Sequence, residues 1–174
     1  MSLLKELKRI EKEDMRNLLL FGNWESLDID YHPPHVERVW TKVGENRLSL
    51  HLIHPCDKGE SLLHPHPWKS AMHVIKFHKF RYPTSGRYEH GIGYNNGEED
   101  IMLSKQVYKG DVYYEIDNPE TLHYVRPIGG PCYSIMLNGP VEWEQNNIPA
   151  NKKLKPLSKK RKAYVLDIFK ELYL

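Results

Sequence analysis

Over most of the chain, apolar and polar positions alternate in short stretches broken by turn residues. Arg47-Leu-Ser-Leu-His-Leu-Ile53 is the clearest case, with Leu48, Leu50 and Leu52 on one side. Similar β-compatible stretches occupy 38–41, 70–77, 87–94, 101–108, 112–116, 122–126 and 132–137. Between them stand Asn95-Asn-Gly-Glu-Glu99, Lys109-Gly-Asp111, Asp117-Asn-Pro-Glu120 and Ile128-Gly-Gly-Pro131. Asn96-Gly97 is a hairpin-type dipeptide. Strands at this spacing predict a sandwich or barrel rather than a parallel sheet, and no βα unit repeats. The stretch 24–34, with two adjacent prolines, reads as irregular, and Pro55 to Gly59 as a loop.

The pattern changes at both ends. Residues 2–21 predict a helix with Ser2 as N-cap and Leu3, Leu7, Ile10 and Leu18 roughly on one face. Gly22 and Asn23 suit its end. After a polar connection at 145–156, residues 157–173 predict a second helix with Tyr164, Val165, Ile168, Phe169 and Leu172 as its apolar stripe. The expected organisation is one mainly β domain over 1–174, with a barrel at 38–143 between two helices.

Composition narrows the function classes. With 40% hydrophobic and 28% charged residues, the chain fits neither disorder nor a membrane protein. Its apolar runs, at 18–21 and 134–137, are far too short to span a bilayer. The N-terminal stretch is too charged for a secretory signal, so a cytoplasmic location is the default expectation. Cys56 and Cys132 then read as reduced thiols. The net charge of +2 gives no case for nucleic acid. Lys152, Lys153, Lys155, Lys159, Lys160, Arg161 and Lys162 form a basic run, read as a linker and solvated helix face, because no aromatic residues interleave. Ten histidines invite a search for a metal.

Leu63-His64-Pro65-His66-Pro67-Trp68 is the most informative segment. On a strand, His64 and His66 project to one face and make half of a divalent-metal site. Such a pair alone is a weak signal. Downstream, Gly110-Asp111 opens a strand, Asn118-Pro119 makes a turn and His123 follows. The two segments together resemble the paired motifs of the cupin superfamily, whose fold is a jelly roll or double-stranded β-helix. The resemblance covers roughly residues 38–143. His-x-His-Pro-Trp, with the ending Gly130-Pro-Cys-Tyr-Ser-Ile-Met-Leu-Asn-Gly-Pro140, is similar to small bacterial and phage cupins.

That resemblance implies a metal centre of His64, His66 and His123 holding one divalent ion (Fe, Zn, Ni or Mn), a small-molecule substrate and a homodimer. The terminal helices would then cap the barrel or build the dimer contact. The sequence departs from the pattern where the first motif calls for a glutamate, at Ser70 or Ala71. The glycine of the following turn is also missing, the chain there reading Lys76-Phe-His-Lys-Phe80.

Three histidines with open positions are still what catalysis at a metal requires. His73 is a candidate fourth ligand if Ala71 faces inward. On the strand before His123, alternation sends inward either Tyr114, a candidate general acid, or Glu115, a candidate replacement carboxylate, together with Tyr113. Trp68 reads as a pocket wall or a packing residue. Arg126, on the face opposite His123, is not assigned to the site. His32, His35, His51, His54, His78 and His90 read as surface or loop residues.

Three functions fit. The first is a metal enzyme, dioxygenase-like or a hydrolase or isomerase. The second is a non-enzymatic small-ligand-binding domain. The third is a metal-free sugar epimerase or isomerase, which would need a histidine–carboxylate contact in the pocket.

Overall fold

The computed structural model describes residues 2–76, 86–142 and 154–174. Residues 77–85, where a turn was expected and which include His78, and residues 143–153, with Lys152 and Lys153, lie outside the described residues. Nine strands are described: β1 (Glu25–Ile29), β2 (Val36–Val43), β3 (Asn46–Ile53), β4 (Ser70–Ile75), β5 (Arg87–Asn95), β6 (Asp100–Tyr108), β7 (Val112–Ile116), β8 (Leu122–Ile128) and β9 (Cys132–Asn138). They form a six-stranded sheet in the order β1-β2-β3-β9-β4-β7 and a three-stranded sheet in the order β6-β5-β8, all antiparallel. A bridge from His64 to His123 adds a further short rung beyond β8.

From β3 onward the chain therefore visits the large sheet, the His64 rung of the small sheet, the large sheet at β4 and the small sheet at β5 and β6. It then returns to the large sheet at β7, the small at β8 and the large at β9. That alternation is the winding of a jelly roll, the architecture expected from the sequence. One strand was not expected: β1 lies in the stretch read as irregular. It is an edge strand with mixed burial, so its alternation is weak in the sequence.

The main apolar core lies outside the barrel. Leu48, Leu50 and Leu52 of β3, Ile135 and Leu137 of β9, and Ala71 and Ile75 of β4 pack outward against the terminal helices. The helices answer with Leu7, Ile10, Met15 and Leu19 from one end of the chain and Val165, Ile168 and Phe169 from the other. Each such side chain contributes about 1.5–3 kcal/mol by leaving water. The lumen holds a smaller cluster around Ile53, Val74, Tyr88 and Cys132. The helices thus cover the large sheet.

The N-terminal helix consists of α1 (Leu3–Arg9), a π-helical turn (Ile10–Asp14) and α2 (Met15–Phe21). Ser2 caps it, its hydroxyl accepting from the Lys5 amide at 3.3 Å. The wide turn adds about one residue to the spiral. That extra residue brings Met15 and Leu19 to the buried face, while Leu18 is only half-buried there. Glu11, within the π turn, accepts from His73 of β4 at 2.6 Å, Tyr113 of β7 at 2.9 Å and Tyr173 of the last helix at 2.5 Å. One carboxylate thus ties both ends of the chain to the sheet. Gly22 is the C-cap, and only glycine fits there without a shift because a Cβ would stand 2.4 Å from the Leu18 carbonyl oxygen.

The last helix, α3 (Lys159–Tyr173), starts at Ser158, whose hydroxyl accepts from the Arg161 amide at 3.2 Å. The basic run is not simply a solvated face. Arg161 donates to the buried carboxylate of Glu37 on β2, and Lys162 donates to the Trp24 carbonyl. His54 completes the Glu37 group at 2.8 Å. Burial alone raises the Glu37 carboxyl, but Arg161 and His54 outweigh it and hold the group below its usual range.

A carboxyl with a depressed folded-state value stabilises the fold above its unfolded value of about 4.3, and that contribution is lost as pH falls through the folded value. Urea unfolding at a series of acidic pH values should therefore show the parent losing more stability below about pH 5 than Glu37→Gln. At neutral pH the variant should be less stable by about 1–2 kcal/mol. Parallel pH curves would show that Glu37 does not dock α3.

Candidate metal centre

His64 and His123 stand directly opposite each other, exchanging both backbone hydrogen bonds at 3.0 Å. Residues so paired present their side chains on one face. His66, two residues along an extended segment, returns to that face. The ring centroids are 4.8 Å apart for His64–His66 and His66–His123, and 5.2 Å for His64–His123. One ring nitrogen from each histidine lies within 4.8 Å of the others. Nitrogens sharing one ion at about 2.1 Å stand roughly 3–3.5 Å apart, so ligation needs ring movements on the order of an ångström.

The donor set fits a metal ion. The Nδ1–H of His64 donates to the Leu62 carbonyl at 3.0 Å, which leaves the Nε2 lone pair free. His123 Nδ1 meets Nε2 of His90 at 3.3 Å. With His123 as the donor in that contact, its buried and otherwise unpartnered Nε2 turns a lone pair to the centre. His66 stacks on Trp68, with centroids 5.2 Å apart and planes 12° from parallel, and its Nδ1 is likewise buried without a protein partner. Burial lowers the pKa of all three imidazoles, taking His66 and His123 well below 6.5, with neighbouring cationic and imidazole groups adding to the effect. Neutral imidazole is the form that binds metal.

The three rings border a cavity of about 120 Å³. Its other walls are largely apolar, Ile29, Val36, Ile53, Met72 and Val125 among them. Trp68 serves both roles foreseen for it: it lines the cavity and is packed, 8% exposed, under the Arg47 guanidinium at 4.9 Å.

Other candidates fall elsewhere. Ala71 faces the helices, so His73 does too, giving its Nδ1 to Glu11 and stacking on Tyr113 at 4.0 Å. It is across the sheet from the histidine group and does not join it. Glu115 also faces outward, its carboxylate accepting from the Leu4 amide at the start of α1 at 3.0 Å. A carboxylate is favoured at that helix end, which explains the residue without a site. Tyr114 faces inward but stands behind the cavity wall, bonded to the Tyr88 hydroxyl at 3.0 Å and stacked on His90 at 4.4 Å. Burial raises its pKa. Arg126 faces out, paired with Glu89 at 3.1 Å.

Several pocket residues escaped the sequence reading. His51 and His90, read as surface or loop positions, are buried on β3 and β5, and His32 lines the cavity. His35 is exposed and His54 half-buried, closer to that reading. His51 alternates with Leu50 and Leu52, so it faces opposite the leucines. The missing step was that both faces of β3 are buried, one under helices and one in the lumen. Arg38 on β2 and Tyr88 on β5 also line the cavity.

No family model matches the sequence, and no curated protein matches it. Solved structures do resemble it. Hydroxypropylphosphonic acid epoxidase from S. wedmorenis is 8% identical with a TM-score of 0.47, the match covering 66% of this chain and 55% of that one. The Fe(II) form of HppE in complex with substrate is 9% identical with a TM-score of 0.48, over 65% and 55%. The formate complex of Lactobacillus farciminis oxalate decarboxylase is 9% identical with a TM-score of 0.45, over 70% and 32%. The chain spans about half the length of the epoxidase structures it matches.

The fold is a jelly roll. That conclusion rests on the strand order, independently of these distant likenesses. Among the described residues, no helix is long and apolar enough to cross a membrane.

Histidine-selective NMR of the metal-free protein provides a direct check on the burial of the site. His66 and His123 should stay neutral well below pH 6.5, where an exposed imidazole is already half protonated. Titration midpoints at or above about 6.5 would mean an open, hydrated group instead.

Proposed function

We propose that the chain is a member of the cupin superfamily that binds one divalent metal ion through His64, His66 and His123 and acts as an enzyme on a small molecule. One observation supports this most: three neutral imidazoles, two with Nδ1 already engaged by a protein partner, converge on a single small cavity. Three ligands leave coordination places open for substrate or water. When bound, an ion there supplies either Lewis acidity, as zinc would, or redox chemistry with oxygen, as iron would.

The chain's own contributions are positional. Leu62 and His90 position the rings of His64 and His123, Trp68 holds the ring of His66, and largely apolar walls border a cavity of about 120 Å³ beside them. The metal-free epimerase or isomerase reading requires a histidine–carboxylate contact. Among the described residues, the cavity lining holds no carboxylate. A non-enzymatic ligand-binding domain would use the same pocket without turnover.

Elemental analysis of protein purified without a His tag or chelating resin tests the metal centre. About one iron, zinc, nickel or manganese per chain is expected, lost in His64→Ala/His66→Ala and retained in His73→Ala. A metal-free parent after reconstitution, or metal retained by the double variant, would overturn the proposal.

A further inference from the structure

Arg38 is the one permanent charge on the cavity wall among its described lining residues. It sits on β2, on the lumen face, opposite His51 of β3. Its Nε–H donates to His51 Nε2 at 2.9 Å. That bond requires a neutral His51 with its proton on Nδ1, which meets the Ser134 hydroxyl at 3.1 Å. Ser134 and His51 are both buried, so the guanidinium plane is set by a rigid pair of strands. The two terminal nitrogens of Arg38 are not used in this arrangement. They belong to a half-buried side chain that lines the cavity.

No carboxylate among the described residues pairs with Arg38. The groups that act on its charge are Arg47, which opposes it, and Tyr31. Even with burial and Arg47 lowering its pKa to about 10, the guanidinium stays charged at neutral pH. Its charge reaches His64 and His66, where it disfavours protonation. A half-buried cation without a counter-ion is stabilised when a ligand brings the counter-charge. The same enclosure that leaves the imidazoles neutral leaves this cation as the cavity's dominant charge. A divalent ion at the histidines would add to it.

We infer that Arg38 is the seat for the carboxylate of a small organic acid, whose far end is directed at the three histidines. This rests on the functional reading above and specifies its substrate class. The two free nitrogens offer the planar fork that matches a carboxylate. The cavity of about 120 Å³ limits the acid to a few heavy atoms. Among the described lining residues, no second permanently charged side chain competes for the anion.

The test is calorimetric titration of the Co(II)-loaded protein with formate, acetate, glycolate and glyoxylate, and with glycolamide as the uncharged counterpart of glycolate. At least one carboxylate should bind saturably, with glycolamide at least tenfold weaker than glycolate. Arg38→Gln should weaken carboxylate binding tenfold or more while its Co(II) content stays at the parent level. Arg38→Lys should fall between the two, since it keeps the charge but loses the fork. The Co(II) content and circular dichroism of each variant separate a lost seat from a lost fold. Arg38→Gln binding within twofold of the parent, glycolamide matching glycolate, or no saturable binding by any of the four acids would overturn the inference. If the protein takes up no Co(II), the metal proposal fails, and the same titrations on the metal-free protein still decide whether Arg38 holds a carboxylate.

Discussion

The burial of the large sheet's outer face beneath the two terminal helices is the contact on which the rest of the molecule depends. A jelly roll of this size can place its core between its own two sheets. Here Leu48, Leu50, Leu52, Ile135 and Leu137 turn away from the lumen and pack on helical residues such as Ile10, Val165 and Phe169. With the apolar core on that side, the lumen face of the same strands can carry His51, Ser134 and Arg38. Polar groups inside a core are costly unless each finds a partner. In the lumen those partners are supplied by one another, while His66 Nδ1 and His123 Nε2 are buried without a protein partner.

The helices need fixing for this division to hold, and charged groups do it. Glu11 accepts from His73, Tyr113 and Tyr173 at once. Glu37 receives Arg161 and His54, and Glu115 receives the first turn of α1. All three carboxylates sit on the outer side of the large sheet or against it. The segregation is consistent: carboxylates dock helices outside, while imidazoles and a guanidinium line the inside. Among the described residues, the cavity lining holds no carboxylate, so its histidines have no acid partner there and Arg38 has no counter-charge.

Much of this was legible in the sequence. Alternation and turn residues located eight of the nine described strands, and both helices fell near their expected bounds. His64, His66 and His123 came from spacing and resemblance, and the structure brings them together. What the sequence could not show was which face of each strand points into the lumen. A leucine-rich face looks like the inside of a barrel, yet here it lies under helices. That single ambiguity made His73 and Glu115 look like site residues and hid His51 and Arg38. The inward choice between Tyr114 and Glu115 was open for the same reason. The π turn shifted the buried stripe of the first helix from Leu18 toward Leu19, an insertion that no periodicity rule would place.

The central claim is that the metal-binding group lies in the lumen and consists of three histidines. X-ray absorption spectroscopy on protein loaded with one equivalent of zinc tests it most directly. The account predicts three imidazole ligands at about 2.0–2.1 Å, with the remaining coordination filled by light atoms, and an unchanged spectrum in His73→Ala. Fewer than three imidazoles, sulfur in the shell, or a spectrum that changes when His73 is removed would contradict it.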